Sequence, residues 1–205
     1  MTTGPTTLEI DAVHARDLAR FWAALLDWPL APENPAVVRP PPEDGCEFDL
    51  AFVLERRPKQ GKNRLHLDLA SRTDDHQQAL VARALRLGAR HLDIGQGDVR
   101  WVVLEDPEHN EFCVLEPRPA YTRAGALAAL VVDAQDPTSL ADFWSTHTGW
   151  PIAQRQPAIV TLRAPSGRGP AIEFLRSTEP GPGRNRLRLD LAEHSGPDPE
   201  GNEFA

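Results

Sequence analysis

The sequence has 205 residues, 40% of them hydrophobic and 25% charged, with a formal net charge of −8. That acidic balance disfavours a nucleic-acid or anionic-membrane partner, since either needs a basic surface, and no apolar run approaches the length of a membrane span. Two cysteines, Cys46 and Cys113, are too few for a disulfide scaffold; with no secretory leader visible in Met1-Thr2-Thr3-Gly4-Pro5, they suit a reducing, cytoplasmic location.

Alternation predicts a strand over residues 7–12, with Leu8 and Ile10 on one face and Thr7, Glu9 and Asp11 on the other. A helix follows over 15–27, where Leu18, Phe21, Trp22, Leu25 and Leu26 form one apolar stripe. Residues 29–45 are proline-rich and read as loop, with a short strand near Val37-Val38. Strands are predicted at 46–54 and 64–70; in the second, Leu65, Leu67 and Leu69 alternate with Arg64, His66 and Asp68. Thr73 or Asp74 caps a second helix that Gly88 ends. Strands at 90–94, 99–104 and 110–116 complete the first half, and 117–125 reads as a linker.

The second half repeats the first at an offset of 122. Asp11-Ala12 returns as Asp133-Ala134, Phe21-Trp22 as Phe143-Trp144, Trp28-Pro29 as Trp150-Pro151, and Asn63-Arg64-Leu65 as Asn185-Arg186-Leu187. Leu67-Asp68-Leu69-Ala70 returns as Leu189-Asp190-Leu191-Ala192. The offset then drops to 92, and Asp106-Pro107-Glu108 aligns with Asp198-Pro199-Glu200. The second copy is therefore 30 residues shorter. Such a repeat decides architecture before function. The first half is a pair of strand–helix–strand–strand–strand modules, at about 7–54 and 64–117. A third covers about 127–177, and a fourth, starting at Leu187, lacks its helix. The fold class is α+β, with a complete domain over 1–117 and an incomplete one over 126–205. Helix three carries His147 and Thr148 in place of Leu25 and Leu26, and Leu187, Leu189 and Leu191 have no helix of their own to cover them. That predicts a second copy completed by the first domain or by another chain, a homodimer being the simplest case.

The paired modules, with Leu18-Ala19-Arg20-Phe21-Trp22, Asn63-Arg64-Leu65-His66-Leu67-Asp68-Leu69 and Asp106-Pro107-Glu108 leading into Asn110-Glu111-Phe112, resemble the vicinal oxygen chelate superfamily. Its members include glyoxalases, extradiol dioxygenases and bleomycin-type resistance proteins. The resemblance implies a cupped mixed sheet, helices outside and the site within the cup. It also implies a metal-binding position on each of four strands, falling here on Thr7, Asp49, His66 and Cys113. In the second copy these become Ala129, Ala171, Arg188 and Ala205. Neither set is a complete group of metal donors, so no metal and no cofactor are expected.

The resemblance and strand parity together select Glu9, Arg64, His66, Asp68, Trp101 and Cys113 as the residues contacting a small-molecule ligand in the cup of residues 7–117. His66 reads as a general base or a substrate donor, or as a histidine satisfied by Asp68 or Glu9. Arg64 and Asp68 recur as Arg186 and Asp190 and also read as a framing ion pair; Asp11 reads as a turn residue. Trp22, Trp28, Trp144 and Trp150 read as core, and His109 as a stand-in for the Gly201 of the other copy. The leading function is small-molecule binding. Alternatives are a lyase, isomerase or dioxygenase with a non-standard metal set, a drug-sequestering resistance protein, or a structural role.

Overall fold

The computed structural model describes residues 5–178, 185–190 and 196–204. The first module is β1 (Thr7–Ala12), α1 (Ala15–Leu26), β2 (Leu30–Ala31), β3 (Asn34–Val38) and β4 (Asp49–Leu54). The order recurs as β5 (Leu65–Leu69), α2 (Asp74–Leu87), β6 (Arg90–His91), β7 (Val102–Glu105) and β8 (Glu111–Val114). It recurs again as β9 (Leu127–Ala134), α3 (Pro137–Thr148), β10 (Ile152–Arg155), β11 (Ile159–Arg163) and β12 (Ala171–Arg176). The fourth module contributes one strand among the described residues, β13 (Leu187–Asp190). Strand four begins at Asp49 rather than at the expected Cys46, whose thiol bonds the Phe48 carbonyl in the approach.

The helix boundaries have local causes. The expected stripe of α1 is wholly buried. Thr73 caps α2 by accepting from the His76 amide, and Gly88 ends it in the left-handed region. Asp136 caps α3 by accepting from the Thr138 and Ser139 amides, with Pro137 in the first turn. Thr148, expected to weaken α3, is buried but satisfied: its hydroxyl donates to the Trp144 carbonyl and accepts from the Trp150 amide. Helix α3 ends on a left-handed Gly149, whereas the equivalent end of α1 is Asp27 at φ 59°. Asp27 is exposed, and its nearest cation, Arg83, is 3.9 Å away. Asp27→Gly is expected to stabilise the protein by about 1 kcal/mol by removing the left-handed Cβ penalty. Denaturant unfolding checks this; an unchanged midpoint would mean that Asp27 bears no strain.

Strand pairing crosses the two halves. One sheet runs β13-β1-β4-β3-β2, and the other runs β10-β11-β12-β9-β5-β8-β7-β6. Module one therefore pairs with module four, through β1 and β13, and module two with module three, through β5 and β9. The expectation that residues 7–117 build one cup is corrected here: their two modules lie in different sheets. What joins modules one and two is a helix-to-hairpin staple. Trp22 donates to the buried Asp106 carboxylate at 3.2 Å, and Glu108 accepts from the Val13 and His14 amides. Modules three and four repeat it: Trp144 donates to Asp198 at 2.8 Å, and Glu200 accepts from the Gln135 and Asp136 amides. Staples and sheets together close the four modules into a ring.

That ring covers the leucines by one of the two expected routes, packing on the first half of the chain. Leu187 and Leu189 are buried in the main core through β1, with no helix of their own module among the described residues; Leu191, Ala192 and Ala205 lie outside the described residues. The four tryptophans expected in the core are there, and His109 does take a positive φ, 67°, opposite Gly201 at 83°.

Candidate functional site

Strand parity holds in β5. Leu65, Leu67 and Leu69 face the helix-covered core, so His66 and Asp68 fall on the opposite face of the eight-stranded sheet. Register carries that face across the sheet. Val103, Cys113, Asp68, Ala129, Ala171 and Arg163 are successive cross-strand neighbours in one row. His66, Val131, Glu173 and Thr161 form the next. His66, Asp68 and Cys113 come from the second module; the third places Ala129 and Val131 directly beside them and adds Glu173 one strand further on.

His66 Nε2 lies 3.5 Å from Asp68 Oδ1, and that oxygen has no hydrogen-bond partner among the described residues. Asp68 is buried, at 7% exposure. Loss of hydration lifts its carboxyl to about 7, Glu173 adds to the rise, and the adjacent Cys113 thiol opposes it. Burial moves His66 the other way, down to about 4, against the pull of Asp133. Each shift disfavours the charged form, the signature of desolvation. The Cys113 thiol is pushed up by burial and then by Asp68, so it rests protonated. Burial likewise raises Glu173, against the hydrogen bond from Tyr121.

Four residues that sequence reasoning passed over complete the site. Glu173 accepts a 2.9 Å hydrogen bond from the Tyr121 hydroxyl. Tyr121 comes from the linker, in a 3-10 turn at Pro119–Tyr121, and is buried with Val103, Cys113 and Leu115. Arg72 holds that linker through the carbonyls of Tyr121, Thr122, Ala124 and Gly125. Arg118 binds Glu116 and lies over the Trp101 ring, 5.6 Å from its centroid. Signals for two of them existed. Tyr121 is the sole tyrosine of the chain, and Glu173 is an acid within the apolar run Ala171–Leu175.

Of the six residues expected at the site, His66, Asp68 and Cys113 converge, and Trp101 stands beside them through Arg118. Glu9 and Arg64 do not join them. Glu9 belongs to the five-stranded sheet and binds Arg188, which also holds the buried Asp11 at 2.8 Å; Asp11 is thus an ion-pair partner rather than a turn residue. Arg64 is spent on the Asp133 carbonyl and on Glu200, not on Asp68. Its repeat, Arg186, does the same with the Asp11 carbonyl and Glu108.

The positions assigned to a metal divide between the sheets in the same way. The eight-stranded sheet has His66, Cys113, Ala129 and Ala171, and the other has Thr7, Asp49 and Arg188. Alanines offer no donor, and Asp49 is engaged by Arg39, so the four standard positions do not fit a metal in either sheet. A different set does fit by composition: His66, Asp68 and Cys113 each place one donor atom within 4.8 Å of the others.

A family model described as a glyoxalase-like domain matches residues 7–115 and again 129–201. Among solved structures, glyoxalase I from Zea mays is similar at 12% identity and a TM-score of 0.59, over 91% of this chain and 71% of that one. A glyoxalase/bleomycin resistance protein/dioxygenase family enzyme from Burkholderia phytofirmans matches at 16% identity and a TM-score of 0.45. It covers 55% of this chain and 97% of that one. No curated protein matches the sequence.

Proposed function

Because the chain belongs to the glyoxalase-like domain family, within the vicinal oxygen chelate superfamily, we propose that it binds a small molecule on the helix-free face of its eight-stranded sheet. One observation carries the reading: Asp68 Oδ1 is buried without a hydrogen-bond partner among the described residues, beside His66, Cys113 and Glu173. A buried acceptor left unpaired costs about 1–3 kcal/mol, and a ligand donor would offset that. Two buried carboxyls favour a neutral or cationic ligand rich in donors over an anion. The face works without the family's standard metal set, since Ala129 and Ala171 supply no donor. No helix among the described residues is long and apolar enough to cross a membrane. We place the protein in the cytoplasm on its two free cysteines.

Tyr121 covers this face, and a cleft of about 440 Å³ lined by Ser71, Arg72, Arg118 and Tyr121 opens beside it. Entry therefore requires the Tyr121–Glu173 bond to break. A thermal-shift screen of metabolites and antibiotics is expected to yield ligands that raise the melting temperature, as any ligand of the native state does. Asp68→Asn is expected to weaken such a ligand about tenfold or more, by losing a hydrogen bond to a charged or strongly polar group. Tyr121→Ala should accelerate its association. A ligand with the same affinity and rate in both variants would place the site elsewhere.

A further inference from the structure

We propose that residues 116–125 are a strap that closes the helix-free face, with Tyr121 as its plug and Arg72 as its latch. The inference rests on the small-molecule reading of that face and adds how access to it is controlled. Both ends of the strap are fixed at the end of β5: the Leu115 amide donates to the Leu69 carbonyl, and the Ala70 amide to the Ala126 carbonyl. Asp44 secures the same exit, accepting from the Ala126 amide at 2.8 Å. Between those points the chain joins neither sheet. Its length suits a compact surface loop with adjoining ends, about 6–16 residues, which can open as one unit.

Apolar anchorage of the strap is small. Of residues 116–125 only Tyr121 and Ala124 are buried, so polar contacts hold it down. Arg72 stands outside it, between β5 and α2, and donates to the carbonyls of Tyr121, Thr122, Ala124 and Gly125. Hydrogen bonds from a charged donor are the stronger kind. One side chain carries all of these, so its displacement frees the whole stretch 121–125 together. Two further contacts act on the plug itself. Arg163 donates to the Ala120 carbonyl at 2.7 Å and lies over the Tyr121 ring, 5.7 Å from its centroid. The Tyr121 hydroxyl is held by Glu173. Opening therefore takes the release of a few side-chain contacts and no strand of either sheet. Few buried apolar contacts and an exposed backbone mark a segment that opens well before the molecule unfolds. Cys113 reports that event. It is 7% exposed, in the small cluster to which the strap contributes Tyr121 and Ala124, and a reagent reaches its thiol when the strap lifts.

The test needs no ligand. Cys46→Ser in the full chain is the parent protein, so that Cys113 is its only thiol. Labelling by methyl methanethiosulfonate, a small neutral thiol reagent, is followed by mass. The parent should label far more slowly than the same chain unfolded in urea. Arg72→Gln and Tyr121→Phe, each added to the parent, are expected to speed labelling about tenfold or more, because a strap held by fewer bonds is open more of the time. Low urea separates the two routes to the thiol. Strap opening exposes little surface, so its rate should stay nearly flat below the unfolding transition, whereas labelling through global unfolding climbs steeply with urea. The proposal is overturned if the parent labels as fast as the unfolded chain, if either variant labels no faster than the parent, or if the acceleration carries the urea slope of global unfolding. Since no ligand takes part, a failed strap leaves the small-molecule reading standing, and a ligand screen without hits would sink that reading while leaving the strap.

Discussion

A chain of residues 1–117 is expected to be a dimer rather than an independent monomer. Cutting the repeat in half removes the partners of both central strands. β1 loses β13, with the pairings Leu8 to Leu189 and Ile10 to Leu187, and β5 loses β9, with Leu65 to Val132 and Leu67 to Leu130. All of these side chains are buried in the intact chain. Each exposed Leu, Ile or Val forfeits about 1.5–3 kcal/mol of burial, and two open strand edges invite pairing. The repeat dictates with what. By offset β9 is the copy of β1, and β13 is the copy of β5, so β1 of one half-chain can take the place of β9 on β5 of another. Two half-chains related by a two-fold axis would rebuild both ladders and close the ring. Light scattering after size exclusion should give a dimer whose melting temperature rises with concentration. Residues 126–205 cannot do the same, because their fourth module brings a single strand among the described residues, and they are expected to aggregate. A monomeric 1–117 with a sharp, concentration-independent melt would contradict the crossed pairing.

The second large effect is a pair of opposed pH dependences that cancel in the wild type. Asp68 has its folded pKa raised from 3.8 to about 7. Between those values the folded protein holds a proton that the unfolded chain has released. Its stabilising contribution is therefore complete below pH 3.8 and is lost as pH rises to about 7. His66 has its folded pKa lowered from 6.5 to about 4. Below 6.5 the unfolded chain takes up a proton that the folded protein refuses, so that contribution is complete above 6.5 and is lost as pH falls to about 4. At about 1.4 kcal/mol per pKa unit, the aspartate effect alone amounts to about 4.5 kcal/mol and the histidine effect to about 3.5 kcal/mol. Over pH 4–6.5 their slopes have opposite sign. In Asp68→Asn only the histidine slope remains, and stability relative to the wild type should fall as pH is lowered through that window. In His66→Gln only the aspartate slope remains, and relative stability should rise. Urea unfolding at several pH values, with chelator present, checks this. If both variants track the wild type, the two groups are not desolvated as found. If the signs reverse, His66 and Asp68 are a charged ion pair, not a neutral one.

Much of the site was legible because β-strand parity is a local property. Successive side chains point to opposite faces, so the leucines of Leu65–Leu69 alone consign His66 and Asp68 to the other face, and the same alternation puts Cys113 there. The repeat told as much about the modules: Trp22 and Trp144, or the turns at Asp106 and Asp198, had to be equivalent. Tyr121 escaped because it acts from a linker, where no periodicity constrains direction. Glu173 escaped because its strand matches an apolar position of the other copy, Ala51.

What the sequence by itself determined, then, is the number of modules, the helix limits set by caps and left-handed glycines, and the face on which each strand residue lies. Only the tertiary structure decided which module lies beside which. Glu9 was expected beside His66 but stands across from Arg188 instead, because β1 pairs with β13 and not with β5. The physical reason is that a strand edge offers the same row of amide and carbonyl groups to any neighbour. Hydrogen bonding cannot tell β5 from its copy β13. The choice falls to the whole assembly: the staples of Trp22 and Trp144, the shortened fourth module, and the burial of Leu187 and Leu189, none of which is written in any one segment.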